Sequence, residues 1–360
     1  MHTHDSRRPG GARRLLGALA AATAVGALGG IPQATAAAQS PAPEVQQPAH
    51  SFDAEGHRGT RGLRPENTLP AFDEALRIGV TTLEMDTAIT KDGRVVVTHE
   101  PAVTPLLCQD TAPAFPGDPA FPYVGKDLRQ LTLAEVKTLD CGTRRPADPA
   151  KDEFAGTQRP VPGTRMPTLD EVYDLAEQRH AGGVRFDIET KIDPTRPDQT
   201  AGPEEFTDRV TDVVRRHHAV HRTTLESFDW RTLRIAADRV PQLRRSALFD
   251  ASTAEIGEPG PSPWLAGADA DEFRGDLAAA AQATVGAQVL SPDASLVTPQ
   301  VVAGSHARGM GVLPWTPEDP AEMHRLIDTG VDGIITDYPD RLRQVMAERR
   351  MALPKAYPAR

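Results

Sequence analysis

The chain predicts an α/β protein, a (β/α)8 TIM barrel with a disulfide-tied insertion after its second strand. Strand-like and helix-like segments alternate over about 300 residues, eight main strands can be counted among them, and one irregular stretch interrupts the pattern early. Strict alternation implies parallel strands joined by right-handed crossovers. Eight such units fit a closed barrel better than an open doubly wound sheet. No glycine-rich phosphate fingerprint follows the first strand, as a dinucleotide fold would require.

The barrel spans 53–350, and "AEGHRG" supplies its first strand. In "LPAFDEALRIG" (69–79), Leu69, Phe72, Ala75 and Leu76 recur at helical spacing and Gly79 ends the pattern, which predicts an amphipathic helix. "TTLEMDTAIT" (81–90) alternates as a strand, "KDGR" turns, and "VVVTHE" starts a second short strand. From about 101 to 167 the chain is rich in Pro, Gly and Asp, holds both cysteines, and reads as helical only at "LTLAEVKTLD"; this is the insertion. Regularity resumes with helix "TLDEVYDLAEQR", strand "VRFDIETK", helix "EEFTDRVTDVVRRHH", strand "TTLESF", helix "WRTLRIAADRV" and strand "RRSALFD". Residues 251–283 show no clear period. Strand "AQVLSP", helix "TPQVVAGSHARG", strand "GVLPWT", helix "PAEMHRLIDTG", strand "DGIITDYP" and helix "DRLRQVMAERR" complete the count.

Composition narrows the function. A net charge of -10 argues against nucleic acid, whose backbone needs concentrated Lys and Arg. Aromatic residues at 5% also leave no base-stacking platform. The start of the chain reads as a signal peptide over 1–38, followed by a proline-rich linker over 39–52. Arg7, Arg8, Arg13 and Arg14 precede a short Gly/Ala-rich apolar run, with Ala-x-Ala cleavage options after Ala36 or Ala38. Arg13-Arg14 followed by Leu-Leu is similar to a twin-arginine signal. Export is therefore expected, to a secreted, extracellular location, with no membrane span left once the signal is removed. In an oxidising compartment the two cysteines, Cys108 and Cys141, are expected to pair, closing a loop of about 33 residues.

The chemistry is expected at the C-terminal ends of the strands. His57 and Arg58 end the first. Glu84 and Asp86, two apart on the second, share one face, and Glu189 and Lys191 do so on the third. His99 follows the second strand's tight turn, and Trp315 ends the seventh. Three carboxylates at one mouth repel each other unless a cation neutralises them. Oxygen-only ligands favour one hard divalent ion, Ca2+ or Mg2+. Arg58 and Lys191 suit an anionic phosphate, and paired histidines can give and take protons near neutral pH. Metal-assisted cleavage of a phosphoester is the chemistry this pattern suggests. His217 and His221, one helical turn apart in "HHAVH", read as the end of a helix rather than a metal clip.

"HRG…PENT…AF…A…G…LEMDTAITKDGRVVVTHE", with "FDIETK" and "GVDGIITDYP" later, resembles the glycerophosphodiester phosphodiesterase family, within the wider phospholipase-C-like phosphodiesterase barrels. The resemblance runs from about Glu55 to Pro339 and is densest over 57–99. It implies that His57 and His99 are the catalytic acid/base pair and that Glu84, Asp86 and Glu189 are the metal ligands. It further implies that Arg58 and Lys191 hold the phosphate and that Trp315 lines the pocket. The implied substrate is a small glycerophosphodiester, hydrolysed to glycerol 3-phosphate and an alcohol. Two positions depart from the family pattern: "WTPEDP" places Pro317 and Glu318 where a Val-Asn pair is usual, and Thr190 stands where Leu is usual. Both bear on the pocket rim. A phospholipase-D-like activity, teichoic-acid cleavage and a non-catalytic phosphodiester-binding role are the competing readings.

Overall fold

The computed structural model describes residues 51–358. The expected signal peptide, and all but the last two residues of the expected linker, lie outside the described residues. The strands are β1 (Asp53–Gly56), β2 (Thr82–Ile89), β3 (Val95–Val97), β4 (Arg185–Thr190), β5 (Thr223–Ser227), β6 (Arg244–Phe249), β7 (Val289–Pro292), β8 (Gly311–Val312) and β9 (Gly333–Thr336). Between and after them run α1 (Leu69–Ile78), α2 (Leu133–Val136), α3 (Leu169–Gln178), α4 (Pro203–Arg216) and α5 (Trp230–Arg239). The rest are α6 (Ala251–Ala254), α7 (Leu277–Val285), α8 (Pro299–His306), α9 (Pro320–Thr329) and α10 (Pro339–Glu348).

Eight strands run parallel in the order β8-β7-β6-β5-β4-β2-β1-β9, while β3 pairs only with β2, antiparallel. The end strands meet through a parallel bridge between Trp315 and Ile335, so the barrel is nearly closed. Its sidedness follows from the two-residue period of a strand. Leu83, Met85, Phe186, Ile188 and Leu225 face outward and pack with Phe72, Leu76, Val172, Phe206 and Leu233 of the surrounding helices. Each such side chain contributes about 1.5–3 kcal/mol on burial. A slip of one residue would expose them all, so Glu84, Asp86, Asp187, Glu189 and Glu226 are driven inward.

That interior is unusual for a barrel, where bulky branched residues normally fill the layers. Glu55, Asp187, Glu226 and Ser246 are all buried, and each keeps one side-chain oxygen without a hydrogen-bond partner. Burial first, then repulsion from neighbouring acids, pushes the Glu55, Asp187 and Glu226 carboxyls well above their ordinary range. The mouth therefore rests on a polar floor.

Helix starts follow local chemistry. Thr68 caps α1 by accepting from the Ala71 amide, and Thr168 with Glu171 forms a capping box on α3. The stretch without clear period contains α6, a short 3-10 turn at Ala270–Phe273 and α7. The sequence "LAAAAQATV" hides α7 because alanine on every side leaves no apolar stripe. Its caps are nevertheless legible: Asp276 accepts from the Ala279 amide, and Gly286 ends the helix in a left-handed conformation.

The insertion leaves from β3 and returns beside it, where Val96 bridges Thr168. It owns a small core of Val103, Tyr123, Leu128, Leu131, Val136 and Leu139, which includes the Cys108–Cys141 disulfide. No helix among the described residues is long and apolar enough to cross a membrane.

Candidate active site

Gly59 begins the site. Its φ of +84° is one that L side chains rarely adopt, and a Cβ there would lie 2.7 Å from the Ala71 carbonyl carbon. Close seating on α1 aims the preceding His57 and Arg58 into the mouth. Arg58 itself has φ 49° and donates its amide to Glu84 Oε2 at 2.6 Å. Its side chain donates from Nη1 to Glu66 Oε1 at 2.6 Å, and its Nε lies 3.1 Å from Asp86 Oδ2 without hydrogen-bond alignment. Burial opposes its charge, but Glu66, Asp86 and Glu84 outweigh that and raise the guanidinium above its ordinary value.

The "PENT" loop is a brace. Glu66 also accepts from Arg61 Nε at 2.9 Å, and Asn67 donates from Nδ2 to Asp86 Oδ2 at 2.7 Å. Glu66 thus holds two arginines, and Asn67 holds the Asp86 carboxylate in place.

Both histidines have one ring nitrogen taken by a carboxylate. His57 Nδ1 lies 2.6 Å from Asp337 Oδ1, and His99 Nδ1 lies 2.9 Å from Glu100 Oε1. An ionised carboxylate only accepts, so Nδ1 carries the proton and Nε2 is left available in each ring. The Asp337 side chain is fully buried, and Arg61 Nη1 donates to its Oδ2 at 3.3 Å. Burial opposes its charge, yet His57 and Arg61 hold its carboxyl below the ordinary value. His99 is lowered by burial and then by Lys191.

The three expected ligands share the mouth on adjacent strands β2 and β4, where Asp86 and Glu189 are register partners. Burial and then Asp86 push Glu84 well up, and burial, opposed by Lys191 but reinforced by Asp86, pushes Glu189 up to about 7. Asp86 stays low despite burial because of Arg58, His99 and Lys191. Lys191 Nζ lies 2.8 Å from Glu189 and 3.7 Å from Asp86. Three inward carboxylates, two of them frustrated by burial and mutual charge, offer oxygen donors of the kind a hard divalent ion takes. With Lys191 paired to Glu189 and Asp86, however, they are not gathered into a ready metal-ligand cluster among the described residues.

His57, Arg58, Glu84, His99, Glu189, Lys191 and Trp315 all line one cavity of about 290 Å3, with Glu226 also on its wall. Asp86 pairs with Arg58 and Lys191 beside it. Trp315 is fixed by donating from Nε1 to the Ser291 carbonyl at 3.1 Å, and it meets Phe228 edge-on at 5.5 Å. Sequence reasoning missed Phe228, although Thr224, Glu226 and Phe228 alternate along one face. Nor does the local sequence single out Asp337, because nothing in it links a residue to a histidine 280 positions earlier. His217 lies outside the site, stacked on Tyr173 and bonded to Asp170 at the end of α4.

A barrel mouth with two free imidazole nitrogens, the three cations Arg58, Arg61 and Lys191 and an acidic cluster defines a barrel enzyme equipped to act on a phosphate ester. Residues 57–341 match the glycerophosphoryl diester phosphodiesterase family model, and the chain belongs to that family. It is similar to the glycerophosphodiester phosphodiesterase of Caldanaerobacter subterraneus, 28% identical over 286 residues that cover 79% of this chain and 94% of that one. A Bacillus subtilis glycerophosphodiester phosphodiesterase is 26% identical over 295 residues, covering 80% of this chain and 84% of its own. Among solved structures, a Silicibacter pomeroyi protein whose name places it in the same family is 31% identical with a TM-score of 0.71, covering 84% and 96%. An Oleispira antarctica phosphodiesterase solved in complex with the product sn-glycerol-3-phosphate shares the fold at 22% identity and a TM-score of 0.58, covering 81% and 96%.

Proposed function

We propose that this chain is an exported, metal-dependent glycerophosphodiester phosphodiesterase that releases glycerol 3-phosphate and an alcohol. The observation that carries the reading is the pair of carboxylate-bound histidines facing one cavity together with Arg58 and Lys191. The product bound by the Oleispira antarctica neighbour supports the same substrate class. One imidazole Nε2 takes the proton of the attacking oxygen, and the other delivers a proton to the departing alcohol as the P–O bond breaks. Arg58 and Lys191 sit where charge grows on the phosphoryl oxygens. Glu84, Asp86 and Glu189 would hold a Ca2+ or Mg2+ ion, which when bound adds further neutralisation of that charge. Asp337 and Glu100 keep each ring in its working orientation.

The test is glycerol 3-phosphate release from glycerophosphocholine by the mature protein, with EDTA, with Ca2+ or Mg2+ restored, and with His57→Ala. Turnover abolished by chelator and by the substitution supports the reading; turnover that survives both sinks it. Export is proposed from the signal pattern over 1–38 and is supported by the disulfide, a feature of oxidising compartments. N-terminal sequencing of protein from the culture medium tests it, and full-length protein retained inside the cell would overturn it.

A further inference from the structure

A second recess of about 400 Å3 adjoins the catalytic cavity, and the two share Glu189, Lys191 and Phe228 as walls. Its far side comes from the β6–α7 connection, the stretch with no readable period. Trp264 supplies an aromatic wall on that side and is held at both backbone ends: its carbonyl accepts from the Trp230 amide at 2.8 Å, and its amide donates to Ser262 Oγ at 3.2 Å. Three half-buried carboxylates, Glu100, Asp193 and Asp250, complete the lining.

Charge decides what this recess can receive. Asp193 accepts only from the Thr195 amide and hydroxyl, at 2.8 and 2.6 Å. Asp250 accepts from the Ser252 and Thr253 amides at 2.8 and 2.9 Å, besides their hydroxyls. Glu100 faces the His99 ring. Among the described residues, none of the three is paired with a Lys or Arg. Lys191 is turned to Glu189 and Asp86, and Arg196 is exposed. The recess therefore carries four carboxylates, Glu189 included, against the two cations Lys191 and Arg196. This excess of negative charge beside an aromatic face is an environment that attracts an ammonium group. Lys191 Nζ already lies 5.7 Å from the Phe228 ring at the shared wall, so a cation is tolerated there.

Resting on the phosphodiesterase reading above, we propose that this recess receives the leaving alcohol and selects alcohols carrying an ammonium or quaternary ammonium group, with Trp264 as the face that meets the cation. The phosphate sits at Arg58 and Lys191, the glycerol stays in the catalytic cavity, and the alcohol extends past Phe228.

The experiment compares kcat/KM for glycerophosphocholine, glycerophosphoethanolamine and glycerophosphoglycerol in the metal-supplemented mature protein, its Trp264→Ala variant and its Asp193→Asn variant. Wild type is expected to prefer the two cationic substrates by about 10-fold or more. Trp264→Ala should remove most of that preference, with glycerophosphoglycerol changing by less than about 2-fold, and Asp193→Asn should weaken it in the same direction. The same panel separates choline-like from primary ammonium alcohols. Equal rates on all three substrates in wild type, or an equal loss on all three in Trp264→Ala with no change of preference in Asp193→Asn, overturns this inference and leaves the phosphodiesterase reading standing. No glycerol 3-phosphate from any substrate overturns both.

Discussion

Asp337→Asn separates a positioning role from a structural one. The side chain is fully buried, with Oδ1 2.6 Å from His57 Nδ1 and Oδ2 3.3 Å from Arg61 Nη1. An asparagine keeps the shape but offers one acceptor and one donor. Arg61 can only donate, so it claims the amide oxygen and turns the amide NH2 toward His57. The ring proton must then move to Nε2, the nitrogen that the proposed mechanism needs free. A charge-assisted hydrogen bond is worth about 1.5–3 kcal/mol, which corresponds to about 10- to 150-fold in rate. The misplaced proton pushes the result toward the upper end. The expected outcome is a fall in kcat of about 100-fold, KM within about 2-fold, and a thermal midpoint close to wild type. Steady-state kinetics across pH, with thermal melting alongside, decides the matter. A variant with normal kcat and a lowered midpoint would show that Asp337 only packs.

Three further outcomes follow from the same geometry. Burial, then Asp53 and Asp187, raises the Glu55 carboxyl well above 4.5, so above that pH the folded chain holds a proton there that the unfolded chain has begun to release. That contribution to stability is complete below about 4.5, the unfolded value, and is lost as pH rises through the higher folded one. Glu55→Gln should therefore melt higher than wild type at pH 8, with the gap closing near pH 4.5; a gap that widens on acidification would reverse the sign. Replacing Cys108 and Cys141 by serine should cost about 3–4 kcal/mol, as expected for a link across 33 positions. Activity should fall as well, because both cysteines line a small cavity with His99 and Glu66. Reductant should mimic the change in wild type and leave the serine variant unaffected. Gly59→Ala forces a Cβ to within 2.8 Å of the Phe72 amide nitrogen at φ +84°, and should lose at least ~2 kcal/mol in denaturant unfolding. A variant as stable as wild type would show that the His57 loop can yield.

The directions in which side chains point were legible in the sequence. Strand alternation alone puts Glu84 with Asp86 and Glu189 with Lys191 on the inward face, because the neighbours Leu83, Met85, Phe186 and Ile188 must be buried against helices. Eight such units imply the barrel, and the barrel rule places His57, His99 and Trp315 at one mouth. Periodicity carries no information about distance between elements, and only the tertiary structure supplied that. Closure of β9 against β1 brings Asp337 onto His57, and the "PENT" loop folds back so that Glu66 grips two arginines. Residues 251–283 stayed unreadable for the opposite reason. Their helix is alanine on every face, and Trp264 gains a role only where the β6–α7 connection crosses the strand ends carrying Lys191 and Phe228. Local pattern sets a side chain's face, whereas closure of the barrel sets which faces meet.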